Sequence, residues 1–344
     1  GADMMQRASG QRGAALLTVL LLVAVLGGAV AVMNETMNRA ARYVAAAQAR
    51  DQAYWALTGA EEAALIVLQQ QLDSEAVSER QLFAQPFPLV TPLGPGTVRF
   101  EDAGRCFNVN SLVAPQGGGE GEGGDDDQPA PRRRGDAEQA DAEQAERFAM
   151  LVEAVGADRA TGRVLAARIT DFIDADESTT PGGMEDFDYV RRDVPYRTAG
   201  QDLISVSELR SIAGFSQSVY LTLAPYLCAA PRGLDFKINI NALAPEEAPL
   251  LVAASRGAIT RRVAEDVLAQ RPPQGFPDVE TFLGSGVLAG TDLPTGTAER
   301  LDVRSARLKM IISINIGADR LAMETLLDRS VELTVVERRM VGGL

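Results

Sequence analysis

Residues 14–33 read AALLTVLLLVAVLGGAVAVM, an uncharged apolar run directly after Arg12 and Gly13. At 1.5 Å per residue a run of this length spans a hydrocarbon core of about 30 Å, so it is read as a transmembrane helix. A removed secretory signal is the competing reading. The run is longer than the apolar core of a usual signal, and no small-x-small cleavage pattern closes it. Arg7 and Arg12 favour a cytoplasmic side for the residues before the run, and Arg39 and Arg42 after it weaken that asymmetry.

The helical pattern continues beyond Met33. From Asn34 to about Asp73 the one break is Gly59, and Tyr54, Leu57, Ala64, Leu65, Leu68 and Leu72 recur on a three-and-four rhythm. An unbroken helix from Ala14 to Leu72 would be on the order of 90 Å long. It would leave the bilayer with one stripe still to bury against a folded head.

The chain has 344 residues, 46% of them hydrophobic, enough for a sizeable core and more than one domain. A net charge of −14 argues against nucleic acid as the main partner and favours solubility or cation binding. There is no histidine, which removes Ser-His-Asp and Cys-His nucleophile systems and every imidazole metal site. The two cysteines, Cys106 and Cys228, form no C-x-x-C pair. If the body lies outside the cytoplasm they read as one disulfide, with two buried thiols as the alternative.

Pro86, Pro88, Pro92, Gly94, Pro95 and Gly96 mark a turn-rich passage, after which one or two strands are expected between Thr97 and Val113. Residues 116–146 are charged, Gly-rich and almost free of large apolar side chains, and most of this tract is expected to be disordered, with a helix starting near Ala142. From Arg147 to Ala224 the pattern is helical. ERFAMLVEAV and TGRVLAARITDFIDA carry helical spacing, and SVSELR reads as a helix capped by Ser205 or Ser207 with Glu208. FKININ is a short strand-like piece followed by further helices through VETFLG. In the C-terminal stretch Leu308, Met310, Ile312, Ile314 and Ile316 share a face, residues 317–319 turn the chain, and SVELTVVE is a third strand.

The stretch with the best claim to chemistry is DFIDADESTTPGGMEDFDY, residues 171–189. Asp171, Asp174, Asp176, Glu177, Glu185, Asp186 and Asp188 crowd around a Pro-Gly-Gly turn. Hard oxygen ligands on an irregular loop suit Ca²⁺, which takes six to eight oxygens. The spacing is not that of an EF-hand, and a solvated acidic loop is the plainer alternative. Nothing nearby supplies a nucleophile, an oxyanion hole or a phosphate-cradling loop, so a hydrolase centre built on these acids has little support.

The leader ending in QRG, followed by AALLTVLLLVAVL and a long helical spine, resembles the type IV pilin and type II secretion pseudopilin superfamily. In that superfamily a prepilin peptidase cuts after the glycine, here Gly13, leaving Ala14 as the mature N-terminus. Most members carry Glu at the fifth mature position. Thr18 stands there, as in the GspK-type minor pseudopilins of the filament tip. A buried Glu pairs with the terminal amine of the subunit above, and a tip subunit has no subunit above it. The resemblance runs on through FNVN, the acidic Gly-Gly loop, SVSELR and ININ.

The resemblance implies an α+β protein: a pilin-like fold with a long N-terminal helix on an antiparallel sheet, and a large inserted all-α domain, SAM-like or helix-hairpin-helix-like. The expected organisation is a leader 1–13, a membrane segment 14–33, a pilin-like part 34–113, the disordered insert 114–146, the helical domain 147–298, and a second pilin-like part 299–344. It further implies Ca²⁺ held by Asp174, Asp176, Glu185 and Asp186, with Asp171 and Asp188 as weaker ligands. A Cys106–Cys228 bridge would close the helical insert at its base. The implied role is non-enzymatic: a tip cap assembled with two other minor pseudopilins, GspI-like and GspJ-like, above the major pseudopilin. It would be anchored in the inner membrane with its head in the periplasm. The alternative is a minor pilin, adhesin or DNA-uptake subunit of a type IV pilus. The segment from Leu234 to Gly286 has more acids than bases and its SRGAIT hairpin only one glycine, which counts against DNA.

Overall fold

The computed structural model describes residues 3–73, 79–114, 134–232, 237–316, 319–330 and 332–341. Helix α1 (Asp3–Asp73) is continuous for 71 residues, roughly 105 Å at the α-helical rise. No proline interrupts it. From Leu16 to Val44 every side chain is exposed, and this is the one helix among the described residues long and apolar enough to cross a membrane. Beyond Asp51 a stripe of Ala53, Ala56, Leu57, Ala60, Ala64 and Leu68 is buried. Small alanines between the leucines let the helix lie close on a sheet.

That sheet follows a short helix α2 (Glu79–Ala84) and begins with β1 (Phe87–Thr91) and β2 (Gly94–Asp102). The chain returns to it with β7 (Arg307–Ile316), β8 (Asp319–Asp328) and β9 (Thr334–Val341), in the order β1-β2-β7-β8-β9, antiparallel throughout. Leu308, Met310, Ile312 and Ile314 of β7 face α1 together with Val98, Phe100, Leu321, Met323 and Leu327. The alternation read in the sequence is therefore the packing face; Ile316 at its end has no described side chain. Gly96 is required where β2 meets β7, because a Cβ there would lie 2.8 Å from the Ser313 carbonyl. One charge is buried in this interface. Glu61 of α1 is fully buried and accepts from Thr325 Oγ1 at 2.5 Å and Arg338 Nε at 2.6 Å, tying the spine to β8 and β9.

Besides the three C-terminal strands the sheet holds β2, which falls where a strand is expected from Thr97, and β1, which the sequence reading does not foresee. Pro92 stands in the turn between β1 and β2 as expected, but Pro88 lies within β1, an edge strand where a missing amide is tolerated. The last strand runs over 334–341 instead of 330–337. Asp328 Oδ1 accepts from the Ser330 amide and hydroxyl and so folds those residues into the turn, and the shift places Arg338 on Glu61.

Between β2 and β7 lies the helical body. Its elements are β3 (Phe107–Asn108), α3 (Arg134–Ala154), α4 (Arg159–Ile173), α5 (Asp186–Tyr189), α6 (Gln217–Leu223), β4 (Leu227–Cys228), β5 (Ile238–Asn239), α7 (Ala248–Ala254), α8 (Arg261–Ala269), α9 (Val279–Leu283) and β6 (Leu301–Asp302). A single core joins them, from Val109, Leu112 and Val113 through Phe148, Leu165, Ile169 and Leu251 to Leu301. The body thus begins at Phe107, well before residue 147, and ends past 298. It is not wholly α-helical: β3 pairs with β4 and β5 with β6, both in parallel. Val109–Leu112, expected as strand, and Val206–Ser211, expected as α-helix, are 3-10 turns, the latter with the Ser205–Glu208 capping box. Of the tract expected to be disordered, the residues from Arg134 are helical, as their Ala, Glu and Gln favour. Residues 115–133 lie outside the described residues.

FNVN and ININ prove to be equivalent positions of an internal repeat. In each, the first Asn side chain accepts from the second Asn amide, Asn108 from Asn110 at 3.2 Å and Asn239 from Asn241 at 2.9 Å. The second Asn then bridges distant backbone. Asn110 accepts from Leu203 N and donates to Leu203 O and Ala230 O; Asn241 accepts from Phe276 N and donates to Phe276 O and Val303 O. Each satisfies buried backbone that no regular element covers.

Candidate metal centre

The acidic loop leaves the C-terminus of α4 and re-enters at α5. Asp171 lies in the last turn of α4 and Asp174 caps it, its amide donating to Thr170 O at 2.9 Å. A spacing of three puts both carboxylates on one side of the helix end. The loop then folds back through Thr180–Gly183, and Glu185 stands at the start of α5. Its far end is pinned to the same helix by Ala199 N and Gly200 N, both donating to Phe172 O.

Asp171, Asp174 and Glu185 converge, with one carboxylate oxygen of each within 4.8 Å of the others. Asp171 is fully buried and accepts from Thr180 N at 3.1 Å. Asp174 Oδ1 and Glu185 Oε1 are buried and accept no hydrogen bond, although Glu185 is only 5% exposed. Burial, then the neighbouring Asp176, Glu185 and Asp171 carboxylates, push Asp174 up to about 7. Burial, then Asp171, pushes Glu185 up to about 7. Burial also raises Asp171, against the Thr180 hydrogen bonds that lower it. Three acids face one point and two of them carry a buried oxygen without a hydrogen bond, an unfavourable arrangement that a cation would relieve. Oxygens no more than 4.8 Å apart can share one ion, and a set made only of carboxylates is compatible with a hard cation such as Ca²⁺ with its bonds of about 2.3–2.6 Å.

Gly183 makes this approach feasible: a Cβ on it would lie 1.9 Å from Asp171 Oδ2.

The cluster departs from the expected ligand set. Asp186 follows Glu185 but turns away, accepting from Thr198 N and Oγ1, both at 2.7 Å, and pairing with Arg197. The Thr198 hydrogen bonds hold its carboxyl below the usual range. Asp176 is exposed and accepts from the Ser178 amide, close enough to act on Asp174 but outside the converging group. Asp188 accepts from the Glu185 amide at 3.4 Å. Asp171, ranked as a weaker ligand, is the most deeply buried member. Its signal in the sequence was the helical spacing to Asp174.

Cys106 and Cys228 are disulfide-bonded, with Cα atoms 5.6 Å apart, immediately before β3 and at the end of β4. The bridge closes the first repeat beside its parallel pair. Gly13 and Ala14 lie within α1.

Residues 105–232 and 238–304 match two family profiles, each described as Type II secretion system (T2SS), protein K. The boundary between the profiles separates the two Asn-x-Asn repeats. Type II secretion system protein K of Pectobacterium carotovorum subsp. carotovorum is 32% identical over 97% of this chain and 98% of its own. That of Klebsiella pneumoniae is 32% identical, covering 96% and 97%. Among solved structures, the GspK-GspI-GspJ complex from the enterotoxigenic Escherichia coli type 2 secretion system contains a chain 27% identical to this one. The two superpose with a TM-score of 0.66, covering 88% of this chain and all of that one. With a spine helix on an antiparallel sheet, a doubled helical insert and this similarity along nearly its whole length, the chain belongs to the type II secretion system protein K family.

Proposed function

We propose that the protein is a minor pseudopilin of the type II secretion pseudopilus tip, acting as a non-enzymatic assembly subunit with I-type and J-type minor pseudopilins. The observation that carries this reading is the division of α1. From Leu16 to Met33 it is apolar and exposed, and from Ala53 to Leu68 one stripe of it is buried against its own sheet. An exposed apolar helix of this length needs a bilayer, or neighbouring helices of like kind, to cover it. Its membrane is the inner membrane, with the head on the periplasmic side, where a disulfide persists. Prepilin peptidase would cleave after Gly13, and the mature spine from Ala14 would pack below the tip against the major pseudopilin.

The helical body would carry Ca²⁺ on Asp171, Asp174 and Glu185 as a structural ion. The cation would neutralise the three carboxylates and lock the loop between α4 and α5.

The test is co-expression of the full chain, solubilised in detergent, with I-type and J-type minor pseudopilins. A stoichiometric complex that survives size-exclusion chromatography is expected, and its absence when all three are folded would refute the tip assignment. Calorimetric titration of Ca²⁺ into the same protein should show binding that Asp174→Ala and Glu185→Ala abolish. Binding unchanged in both would refute the metal site.

A further inference from the structure

The metal cluster has a fixed cation at its edge. Arg232 follows the first repeat's closing strand, and its side chain is 16% exposed. Its Nε donates to Asp202 Oδ1 at 2.7 Å, its Nη2 to Ile173 O at 3.1 Å, and its amide to Asp202 Oδ2 at 2.8 Å. Ile173 is the last residue of α4 and directly precedes Asp174. The guanidinium therefore caps the negative end of the helix whose next residue is a ligand. Among the groups acting on Asp174, Arg232 is the one that favours its charged form. It hydrogen-bonds none of the three converging carboxylates; its Nε and Nη2 both face Asp202 Oδ1, at 2.7 and 2.6 Å. Asp174 Oδ1, one residue from the carbonyl that Arg232 holds, accepts nothing.

A guanidinium is always charged and fits a carboxylate in a forked geometry, so it can neutralise such a site as a cation would. We infer that Asp202 holds Arg232 back from the acidic cluster, and that the Arg232–Asp202 pair thereby sets the affinity of the centre for Ca²⁺. The inference rests on the calcium reading of Asp171, Asp174 and Glu185. With Asp202 intact, Ca²⁺ meets an open site beside a restrained positive charge. Without it, Arg232 is free to swing onto Asp174, and the ion must displace it. A ligand that competes with an internal group loses affinity in proportion to how well that group fills the site.

The experiment is calorimetric Ca²⁺ titration of the full chain in detergent, with thermal melting of the metal-free form alongside. Asp202→Asn is expected to weaken Ca²⁺ binding by about tenfold, the lower end of what bringing a charge against a carboxylate does. Arg232→Met is expected to tighten binding by a few-fold, since the restrained positive charge is gone. The double variant Asp202→Asn/Arg232→Met should return to at least the parent affinity, a rescue that mere loss of a structural contact would not give. Asp202→Asn with parent affinity, or a double variant as weak as Asp202→Asn, overturns the inference while leaving the calcium site standing. If Asp202→Asn does not fold, Arg232→Met decides alone, and unchanged or weaker binding overturns the inference. A parent protein that binds no Ca²⁺ removes both the site and this regulation of it.

Discussion

Gly183→Ala is the most direct probe of the proposed Ca²⁺ site. The new Cβ would lie 1.9 Å from Asp171 Oδ2, 2.6 Å from its Cγ and 2.9 Å from its Oδ1, so the whole carboxylate must retreat by about 1 Å. Asp171 is fully buried among Thr180 and the end of α4, and that retreat carries it out of the converging group. Taking one carboxylate out of contact with a dication costs on the order of two log units in affinity, about 2.7 kcal/mol. Calorimetry with Ca²⁺ on the full chain in detergent should therefore show Kd raised about 100-fold for Gly183→Ala. Asp171→Asn should lose a similar amount, and the double variant little more than either, because both remove the same ligand. A folded Gly183→Ala protein that binds Ca²⁺ as tightly as the parent would refute both the role of Asp171 and the close approach of Gly183.

Other outcomes rest on the same physics. Asp174 and Glu185 are raised to about 7, so their neutral forms stabilise the metal-free fold. That contribution is fully present below the ordinary carboxylate range near 4 and is lost as pH rises through about 7. The metal-free thermal midpoint should fall between pH 5 and pH 8, with Ca²⁺ affinity rising over the same interval and saturating Ca²⁺ flattening the loss. Arg338→Met leaves Glu61 buried with only Thr325 as partner and should destabilise the sheet domain by about 3 kcal/mol in denaturant melts. Glu61→Met added to it should recover most of that. Asn110→Ala and Asn241→Ala each strip three hydrogen bonds from buried backbone and should cost comparable amounts, about 3 kcal/mol each. Reducing the Cys106–Cys228 bridge frees a closure of 122 residues and should lower stability by up to about 5 kcal/mol on the chain-entropy account, read as a drop in melting temperature under thiol.

The spine and the strands were legible because each is governed by one period. An apolar run of membrane length, and alternation over Leu308–Ile314, admit few other structures, and the buried faces follow the patterns directly. The edge strand β1 was not legible, because Pro88 is penalised only where a ladder amide is needed and an edge does not need it. The register of β9 was set by contacts invisible to local pattern: the Asp328–Ser330 turn, and Arg338 meeting Glu61 across 277 residues. The extent of the helical body was equally hidden. FNVN and ININ read as strand by side-chain alternation, but their Asn residues work through backbone groups some 90 or 35 positions away.

The acidic loop shows where composition stops and geometry begins. All seven of its acids were visible, and neutral side chains with small apolar neighbours could not have suggested a cation. Which acids converge depends on direction. Glu185 and Asp186 are adjacent, yet one stands at the start of α5 facing α4 and the other has entered the turn, where Thr198 and Arg197 claim it. A carboxylate that already accepts two strong hydrogen bonds and an ion pair gains little from a metal. One that is buried with an idle oxygen gains most of its solvation back. That criterion selects Asp174 and Glu185 by their unmet oxygens. It admits Asp171 by burial together with the space that Gly183 leaves for it. The second glycine of the Pro-Gly-Gly turn thus does more than turn the chain: without a Cβ it leaves the space that the Asp171 carboxylate occupies, and Gly183→Ala tests that link.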